Sequence, residues 1–235
     1  MNLFLRSLVF YLGFMPTLAF FACLSLLILP LPHRQRYHVM TGWGCFVIWW
    51  LKKTCDLTYQ VQGLEHLPKQ PAIVMSKHQS AWETIVMQQI LPPQTWIIKR
   101  ELLWIPLFGW ALATLKPIAI DRKIIRKSIR QIVEQGRKHL QNGWWILMFP
   151  EGTRVAVGKK KRYGVGGAML AAHVGCPIVP IALNSGKFWP RQRFLKYPGV
   201  IQVIIGPVIE SQGKTAQEIN VQVETWIETA MQQIP

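Results

Sequence analysis

Pro71 to Glu83, P-A-I-V-M-S-K-H-Q-S-A-W-E, is the stretch from which the fold is inferred. Its first five residues are an apolar run that predicts a buried strand, and the amphipathic run Thr84 to Leu91 predicts a helix. Between them, His78 follows the strand and Glu83 stands five residues later in the first helical turn. A carboxylate at that position can hold one ring nitrogen and leave the other basic, as a general base requires.

The same residues also have a purely structural interpretation. Ser80 and Glu83 have the spacing of a capping box, in which both side chains satisfy free backbone donors at the start of a helix. The pair by itself does not decide between catalysis and capping. The remainder of the chain has to decide it.

Composition indicates an anionic partner and a membrane. The chain has 235 residues, of which 50% are hydrophobic and 16% charged, and its formal net charge is +16. This excess of Lys and Arg favours an anionic membrane surface, phosphorylated substrates or nucleic acid, and the 11 tryptophans favour a membrane interface. No base-reading motif is present, so no nucleic acid is expected. The cysteines and histidines lack metal-ligand spacing, so no metal is expected either.

The N-terminal part of the chain predicts a membrane anchor. Ser7 to Pro32 contains no charged residue and is long enough, as a helix, to cross a bilayer; a cleaved signal peptide is the alternative. His33 to Arg36 is predicted to form a basic turn. The shorter apolar stretch Val39 to Leu51 is then predicted to lie in the interface or to fold back on the first helix. We assign residues 1–53 to the anchor and residues 54–235 to a catalytic domain.

The charges also predict on which side of the membrane this domain lies. Positive residues follow both apolar segments, as Arg34 and Arg36 after the first and Lys52 and Lys53 after the second. Cytoplasmic flanks are enriched in such residues. The expected location is therefore the cytoplasmic face of a membrane, and of the bacterial inner membrane in particular.

Beyond residue 54 the pattern alternates between strands and helices. A helical pattern runs from Arg122 to Leu140, and a final helix begins at a capping box, Thr215 to Glu218. Such alternation predicts an α/β domain with a mostly parallel central sheet of about seven strands flanked by helices. Seven stretches have strand patterns: Leu57–Gln62, Ala72–Met75, Trp96–Ile98, Pro117–Ile120, Trp144–Phe149, Ile178–Leu183 and Val200–Ile205.

A second polar block, Lys99-Arg100-Glu101, directly follows one of these predicted strands. Ligands of α/β proteins bind at the carboxyl ends of strands. Two cations at such an end suit a phosphate site. The structural alternative is a solvated charge pair in front of the apolar run that follows.

A third block, Phe149 to Arg154, also follows a predicted strand. Arg154 offers a planar fork for a bidentate phosphate contact, and Gly152 lets backbone donors approach a ligand closely. Glu151 is interpreted as orienting Arg154 by a salt bridge. The alternative is an ordinary loop with an exposed ion pair.

In their order along the chain, the blocks resemble the four motifs of the glycerolipid acyltransferase family. The closest group is the 1-acyl-sn-glycerol-3-phosphate (lysophosphatidic acid) acyltransferases. The resemblance extends from about Gly63 to Leu183. Four sets of residues carry it: His78-x4-Glu83, Lys99-Arg100-Glu101 with Pro106 to Gly109, Phe149 to Arg154, and Val179-Pro180-Ile181.

The resemblance implies a reaction and roles for these residues. His78 would deprotonate the sn-2 hydroxyl of a lysophospholipid acceptor, which then attacks the thioester of acyl-CoA or acyl-carrier protein. Glu83 would orient His78, and no cofactor beyond this co-substrate is implied. The acceptor's phosphate would be bound in a site formed by the second and third blocks: Lys99, Arg100, Glu151, Gly152, Thr153 and Arg154.

Two positions depart from the family pattern. Glu83 stands where aspartate is usual, and Lys77 stands where asparagine is common and adds a cation near the site. Acylation of lysophosphatidic acid to phosphatidic acid is the leading hypothesis. The same chemistry on another lysophospholipid, an ornithine-lipid precursor or glycerol 3-phosphate is the sibling hypothesis. A non-enzymatic basic protein that binds membranes is the alternative class, and it would not need His78.

Overall fold

The protein is built around one central sheet. The structure is a computed structural model that describes residues 2–121 and 124–234. The strands within those residues are β1 (Leu57–Gln62), β2 (Ile73–Ser76), β3 (Gln94–Lys99), β4 (Ile118–Ile120), β5 (Trp145–Met148), β6 (Ile178–Leu183) and β7 (Gly199–Ile205). Their order is β1-β7-β6-β2-β5-β3-β4, and only the β6–β7 pair is antiparallel. Each strand coincides with one predicted run, so the α/β class with a mostly parallel sheet is confirmed.

Helices connect these strands and cover both faces of the sheet. The last one begins with the predicted capping box, which is confirmed because Thr215 and Glu218 each bond to the other's backbone N–H. The fifth helix begins at Ile125. The sequence predicts its start at Arg122, which lies outside the described residues together with Lys123. The helices are α1 (Leu3–Leu27), α2 (His33–Cys55), α3 (Trp82–Ile90), α4 (Phe108–Thr114), α5 (Ile125–Gln141), α6 (Gly166–Val174), α7 (Ser185–Phe188) and α8 (Ala216–Gln233).

The two faces of the sheet belong to two different cores. Side chains alternate between the faces along a strand, so Val74 of β2 packs in the core beneath α1, α2 and α3. Its neighbours Ile73 and Met75 pack in the core beneath α5, α6 and α8. The central strand β2 lies between β6 and β5, with Val74 opposite Val179 and Leu147. Residues just past β2 are therefore expected to continue this alternation between the faces.

The two N-terminal helices pack against each other and on the sheet. The Trp50 indole N–H donates to the carbonyl of Phe10, with a nitrogen-to-oxygen distance of 3.2 Å. Phe10, Val47 and Leu51 belong to the same core as Val74 of the sheet. The fold-back of the second apolar stretch is therefore confirmed. The division into a 1–53 anchor and a 54–235 domain stays a prediction, because packing is continuous across it.

The predicted basic turn at His33 to Arg36 is wrong. These residues form the first turn of α2, and the chain reverses just before them. Pro30 and Pro32 supply no backbone N–H and therefore cannot continue the hydrogen-bonding pattern of α1. The reversal occurs at these prolines.

Helix α1 has the length and composition of a membrane anchor. Among the described helices it alone is long and apolar enough to cross a membrane. A signal sequence near the N-terminus can have the same length and composition. Leu12, Phe20 and Leu27 are among its exposed side chains. An exposed apolar surface of this kind is typical of contact with lipid or with another protein. On which side of a membrane the sheet lies stays a prediction.

A buried lysine fastens the loop after α7 to α1. The side chain of Lys196 is fully buried, and its ammonium donates to the Tyr11 hydroxyl and to two carbonyls of its own loop. The ammonium also lies 4.8 Å from the centre of the Tyr11 ring and 5.0 Å from that of Trp189. The Lys196 backbone N–H donates to the Ser7 hydroxyl. These contacts hold residues 189–198 against α1.

We expect this lysine to make stability depend on alkaline pH. Burial lowers the pKa of Lys196 from 10.5 to about 8. Between these two values the unfolded chain binds a proton that the folded chain has released, so stability rises with pH. The thermal midpoint of detergent-solubilised protein is therefore expected to rise from pH 8 to 10.5. Lys196→Met should lose that rise and the exposed Lys187→Met should keep it; equal slopes in all three proteins would contradict the assignment.

Candidate active site

The candidate site lies where three neighbouring strands end. His78 follows β2, the Phe149 to Arg154 block follows β5, and Ser185 follows β6. The strands β6, β2 and β5 are adjacent and parallel, so their carboxyl ends meet at one edge of the sheet. This topology brings together residues that are up to about a hundred positions apart in the chain.

His78 and Glu83 form the predicted pair. The distance from His78 Nδ1 to Glu83 Oε1 is 2.9 Å. An ionised carboxylate can only accept, so Nδ1 carries the proton. The other ring nitrogen, Nε2, thereby keeps its lone pair, and His78 lines a cavity. The tautomer is the one that a general base needs.

Glu83 is fully buried and saturated with donors. Within the described residues its two oxygens accept five hydrogen bonds, from His78 Nδ1, the backbone N–H groups of Gln79 and Ser80, and the hydroxyls of Ser80 and Ser185. Burial acts to raise the pKa of Glu83, but the hydrogen bonds and charge of His78, together with the Ser80 bonds, hold it below its ordinary value. Glu83 is therefore ionised at neutral pH. The structure accommodates the extra methylene relative to aspartate.

The predicted capping box of Ser80 and Glu83 forms only in part, because the residue that caps α3 is Ala81, which makes no side-chain cap bond. The Ser80 hydroxyl accepts from the backbone N–H of Trp82 at 2.9 Å, while Glu83 accepts from the backbone N–H of Ser80 at 2.7 Å. The bond from the Ser80 N–H, which is the half of the box that forms, helps to fix the carboxylate that orients His78. This half of the capping interpretation is compatible with the catalytic one.

The third block holds His78 from two sides. The Phe149 ring stacks on the imidazole, with ring centres 3.9 Å apart and planes inclined by 15°. The His78 backbone N–H donates to Glu151 Oε2 at 2.8 Å, and its carbonyl accepts from the backbone N–H of Val155 at 2.8 Å. The imidazole is thereby fixed in both position and plane.

The predicted salt bridge between Glu151 and Arg154 is wrong. The Glu151 carboxylate is buried and lies 2.7 Å from the ammonium of Lys77. It is not among the residues that line the cavity. Its predicted role in shaping the phosphate site stays a prediction.

Lys77 is not an extra cation in the site. It is buried, and its ammonium is also 2.7 Å from Glu228 of α8, which accepts a further hydrogen bond from the Tyr163 hydroxyl. The reason is the alternation along β2, which directs Lys77 to the α8 face and His78 to the α2 face of the sheet. Both carboxylates raise the pKa of Lys77 against the effect of burial. Lys77 is therefore a structural cation.

Two of the predicted phosphate-binding cations line the cavity. Lys99 and Arg154 contribute to its wall together with Gly152 and Thr153, whereas Arg100 does not. Gly152 has a φ of +70°, a conformation that residues with a Cβ rarely adopt. The turn after β5 thus needs a glycine to direct Thr153 and Arg154 into the cavity.

Sequence reasoning missed one cation of the cavity wall. Arg191, in the loop after α7, lines the cavity beside Arg154. It lies outside all four sequence blocks, and nothing in its local pattern marks it as a site residue. The position of Lys77, by contrast, could have been predicted from the sequence. Side chains alternate along a strand, so Lys77 is expected on the same face of the sheet as Ile73 and Met75.

The cavity has a volume of about 570 Å³ and two chemically different parts. The polar part contains His78 and the cations. The apolar part is formed by helices α1 to α4 and strand β3. Representative residues of the apolar wall are Phe14, Leu18, Met40, Trp43, Ile85, Ile98, Phe108 and Leu112. Such a cavity suits a molecule with a charged head and an apolar chain.

Comparison with known proteins identifies the family of this chain. The model of the acyltransferase family matches residues 58–184. The sequence is 42% identical to the 1-acyl-sn-glycerol-3-phosphate acyltransferase of Pseudomonas aeruginosa, over 98% of this chain and 91% of that protein. It is 33% identical to the mouse 1-acyl-sn-glycerol-3-phosphate acyltransferase alpha, over 68% of this chain and 58% of that one.

The chain therefore belongs to the acyltransferase family, and it is an enzyme. Within that family it groups with the 1-acyl-sn-glycerol-3-phosphate acyltransferases, the name that both of these relatives carry. The fold matches the crystal structure of the 1-acyl-sn-glycerophosphate acyltransferase of Thermotoga maritima, with a TM-score of 0.79 over 97% of this chain and 94% of that chain. The sequence identity of that pair is 24%, so this match concerns the fold alone.

Proposed function

We propose that the protein transfers an acyl group from an acyl thioester to the sn-2 hydroxyl of lysophosphatidic acid and so forms phosphatidic acid. The observation that carries this proposal is the cavity, which combines a His–carboxylate pair, cations and an apolar wall. The names of the relatives support the acceptor. Family membership implies a lipid acceptor and an acyl donor.

In this proposal His78 acts as general base. Nε2 takes the proton of the sn-2 hydroxyl as its oxygen attacks the thioester carbonyl carbon. The tetrahedral intermediate then expels the thiolate, which takes the proton back from His78, so the ester forms and the enzyme returns to its starting state. Glu83 stabilises the imidazolium between these two steps, because it stays ionised at 2.9 Å from Nδ1.

Lys99 and Arg154 would bind the acceptor's phosphate. Neither forms an ion pair with a carboxylate within the described part of the chain. A half-buried guanidinium without a carboxylate partner is well suited to a bidentate phosphate contact. The acceptor's acyl chain, or that of the donor, would then occupy the apolar part of the cavity.

The proposed donors are acyl-CoA and acyl-carrier protein, with no further cofactor. Among the described residues no group of three or more His, Cys, Asp or Glu side chains is arranged to hold a metal. The proposed location is the cytoplasmic face of the bacterial inner membrane, with the basic chain on an anionic lipid surface. Helix α1 supports a membrane location, because Phe14 and Leu18 line the cavity while Leu12 and Phe20 are exposed. A lipid acceptor would thus enter beside α1.

The test is acyl transfer by the detergent-purified protein. Each donor type is combined with lysophosphatidate, lysophosphatidylcholine or glycerol 3-phosphate. We expect lysophosphatidate to be acylated most efficiently, because its phosphate monoester and its chain match both parts of the cavity. Turnover of only another acceptor would overturn the substrate and keep the chemistry. No turnover with any pair would favour the non-enzymatic membrane-binding alternative.

A further inference from the structure

The loop between α7 and β7 brings a third cation to the cavity. Arg191 lines the cavity together with Lys99 and Arg154, although it lies 37 residues beyond Arg154 in the chain. Lys99 is the last residue of β3 and Arg154 follows β5, so three separate segments each contribute one positive charge. Three cations from unrelated segments converging on one cavity point to an anion as its occupant.

The guanidinium of Arg191 is bonded to the backbone of Arg154. Arg191 Nη1 donates to the backbone carbonyl of Arg154 at 3.1 Å. A guanidinium has five N–H donors, so four remain for a ligand. Burial lowers the pKa of Arg154, the charge of Glu83 acts to raise it, and the charge of Arg191 has a smaller lowering effect. Within the described residues neither arginine forms an ion pair with a carboxylate, although the charge of Glu83 acts on Arg154 from farther away.

The backbone that presents Arg191 adopts an uncommon conformation. The N–H of Arg193 donates to the carbonyl of Pro190 and closes a tight turn over Arg191 and Gln192. Gln192 has a φ of +57°, a left-handed conformation at a turn position where glycine or asparagine is usual. Residues in such conformations cluster at sites of function. Gln192 itself lines the cavity.

The loop is also fixed at its other end. Lys196 is buried five positions after Arg191 and bonds to Ser7 and Tyr11 of α1. The tight turn and this buried lysine together restrict where the Arg191 side chain can lie. The cation is thus carried by a loop that is fastened to α1.

We propose that Arg191 binds the phosphate of the acceptor together with Lys99 and Arg154, and that it selects acceptors with a free phosphate monoester. This inference rests on the proposed function. A monoester carries close to two negative charges at pH 7, whereas the diester of lysophosphatidylcholine carries one. A third cation therefore stabilises the bound monoester more than the bound diester.

The test compares Arg191→Gln with the matched variant Arg137→Gln. Arg137 is exposed on α5, which covers the opposite face of the sheet, so this control removes one positive charge away from the cavity. We expect Arg191→Gln to raise KM for lysophosphatidate about 10–100-fold, the range for losing a hydrogen bond to a charged group. We expect kcat and the KM of the donor to stay within about threefold of wild type. Arg191→Lys keeps the charge without the fork and should give an intermediate KM.

A second measurement separates phosphate binding from a general effect on the loop. Glycerol 3-phosphate is used as a competitive inhibitor, since it carries the phosphate monoester without the acyl chain. Its inhibition constant should rise in parallel with KM in Arg191→Gln and stay unchanged in Arg137→Gln. An unchanged KM, a loss confined to kcat, or a KM that rises while the inhibition constant does not would overturn the inference. Failure of wild type to acylate lysophosphatidate would instead overturn the proposed function.

Discussion

Replacing His78 with alanine is expected to lower kcat for acyl transfer about 10²–10⁴-fold, the usual contribution of a positioned general base. The reason is that no base would then remain at this end of the cavity to take the proton from the hydroxyl of the lysophospholipid. Folding should persist, because the bonds from Glu151 and Val155 are to the backbone of residue 78 and remain. Steady-state kinetics with lysophosphatidate and a fixed acyl thioester measures the effect.

The matched control for this substitution is His173→Ala. His173 is exposed near the end of α6 and is not among the residues of the cavity wall. It should retain a kcat within about threefold of wild type. If His78→Ala did the same while keeping its thermal midpoint, His78 would not be the base. Binding of lysophosphatidate should survive in His78→Ala, which separates loss of chemistry from loss of the site.

Replacing Lys77 with methionine is expected to destabilise the fold strongly. Its ammonium is the partner of two carboxylates, Glu151 and Glu228, at 2.7 Å from each. Removing one member of a buried charge network leaves the others unpaired and typically costs roughly 3–5 kcal/mol. Burial already raises the pKa of Glu151, so without Lys77 this carboxyl is expected to bind a proton. Activity should fall as well, because Glu151 Oε2 accepts from the backbone of His78.

A double variant tests whether the charges are coupled. In Lys77→Met/Glu228→Gln one of the two orphaned carboxylates is gone, so part of the lost stability should return. We expect a coupling of about 0.5–3 kcal/mol, as for residues in one network. The matched control is Lys160→Met, since Lys160 is exposed and its ammonium lies 4.0 Å from Glu228; little change in thermal unfolding is expected there. Strict additivity, or a stable Lys77→Met, would contradict the network.

Glu83 stands where the family motif usually has aspartate, and the motif alone does not show whether the longer side chain can still orient His78. A longer side chain can orient His78 only if the helix start and the strand end are spaced to receive it. The structure provides that spacing through Ser80 and through Ser185, which is 102 residues away in the chain. No local pattern contains the Ser185 contact.

The sequence by itself determined the strands of the sheet and the central residues of the site. All seven strands were predictable because buried strands are apolar runs bounded by polar turns, a property of local sequence. The blocks after β2, β3 and β5 were predictable as one site because parallel strands end at one edge of a sheet. His78, Glu83, Lys99 and Arg154 are brought together there as that reasoning requires.

Only the tertiary structure decided the partners of the charged residues. Glu151 pairs with Lys77 and not with Arg154, and Lys77 also pairs with Glu228, which is 151 residues away. Arg191 reaches the cavity because its loop is fastened to α1. Charge pairing acts through space over a few ångströms, and sequence distance carries no information about it. Strand and helix patterns repeat within a few residues, which is why the chain alone reveals the elements but not these contacts.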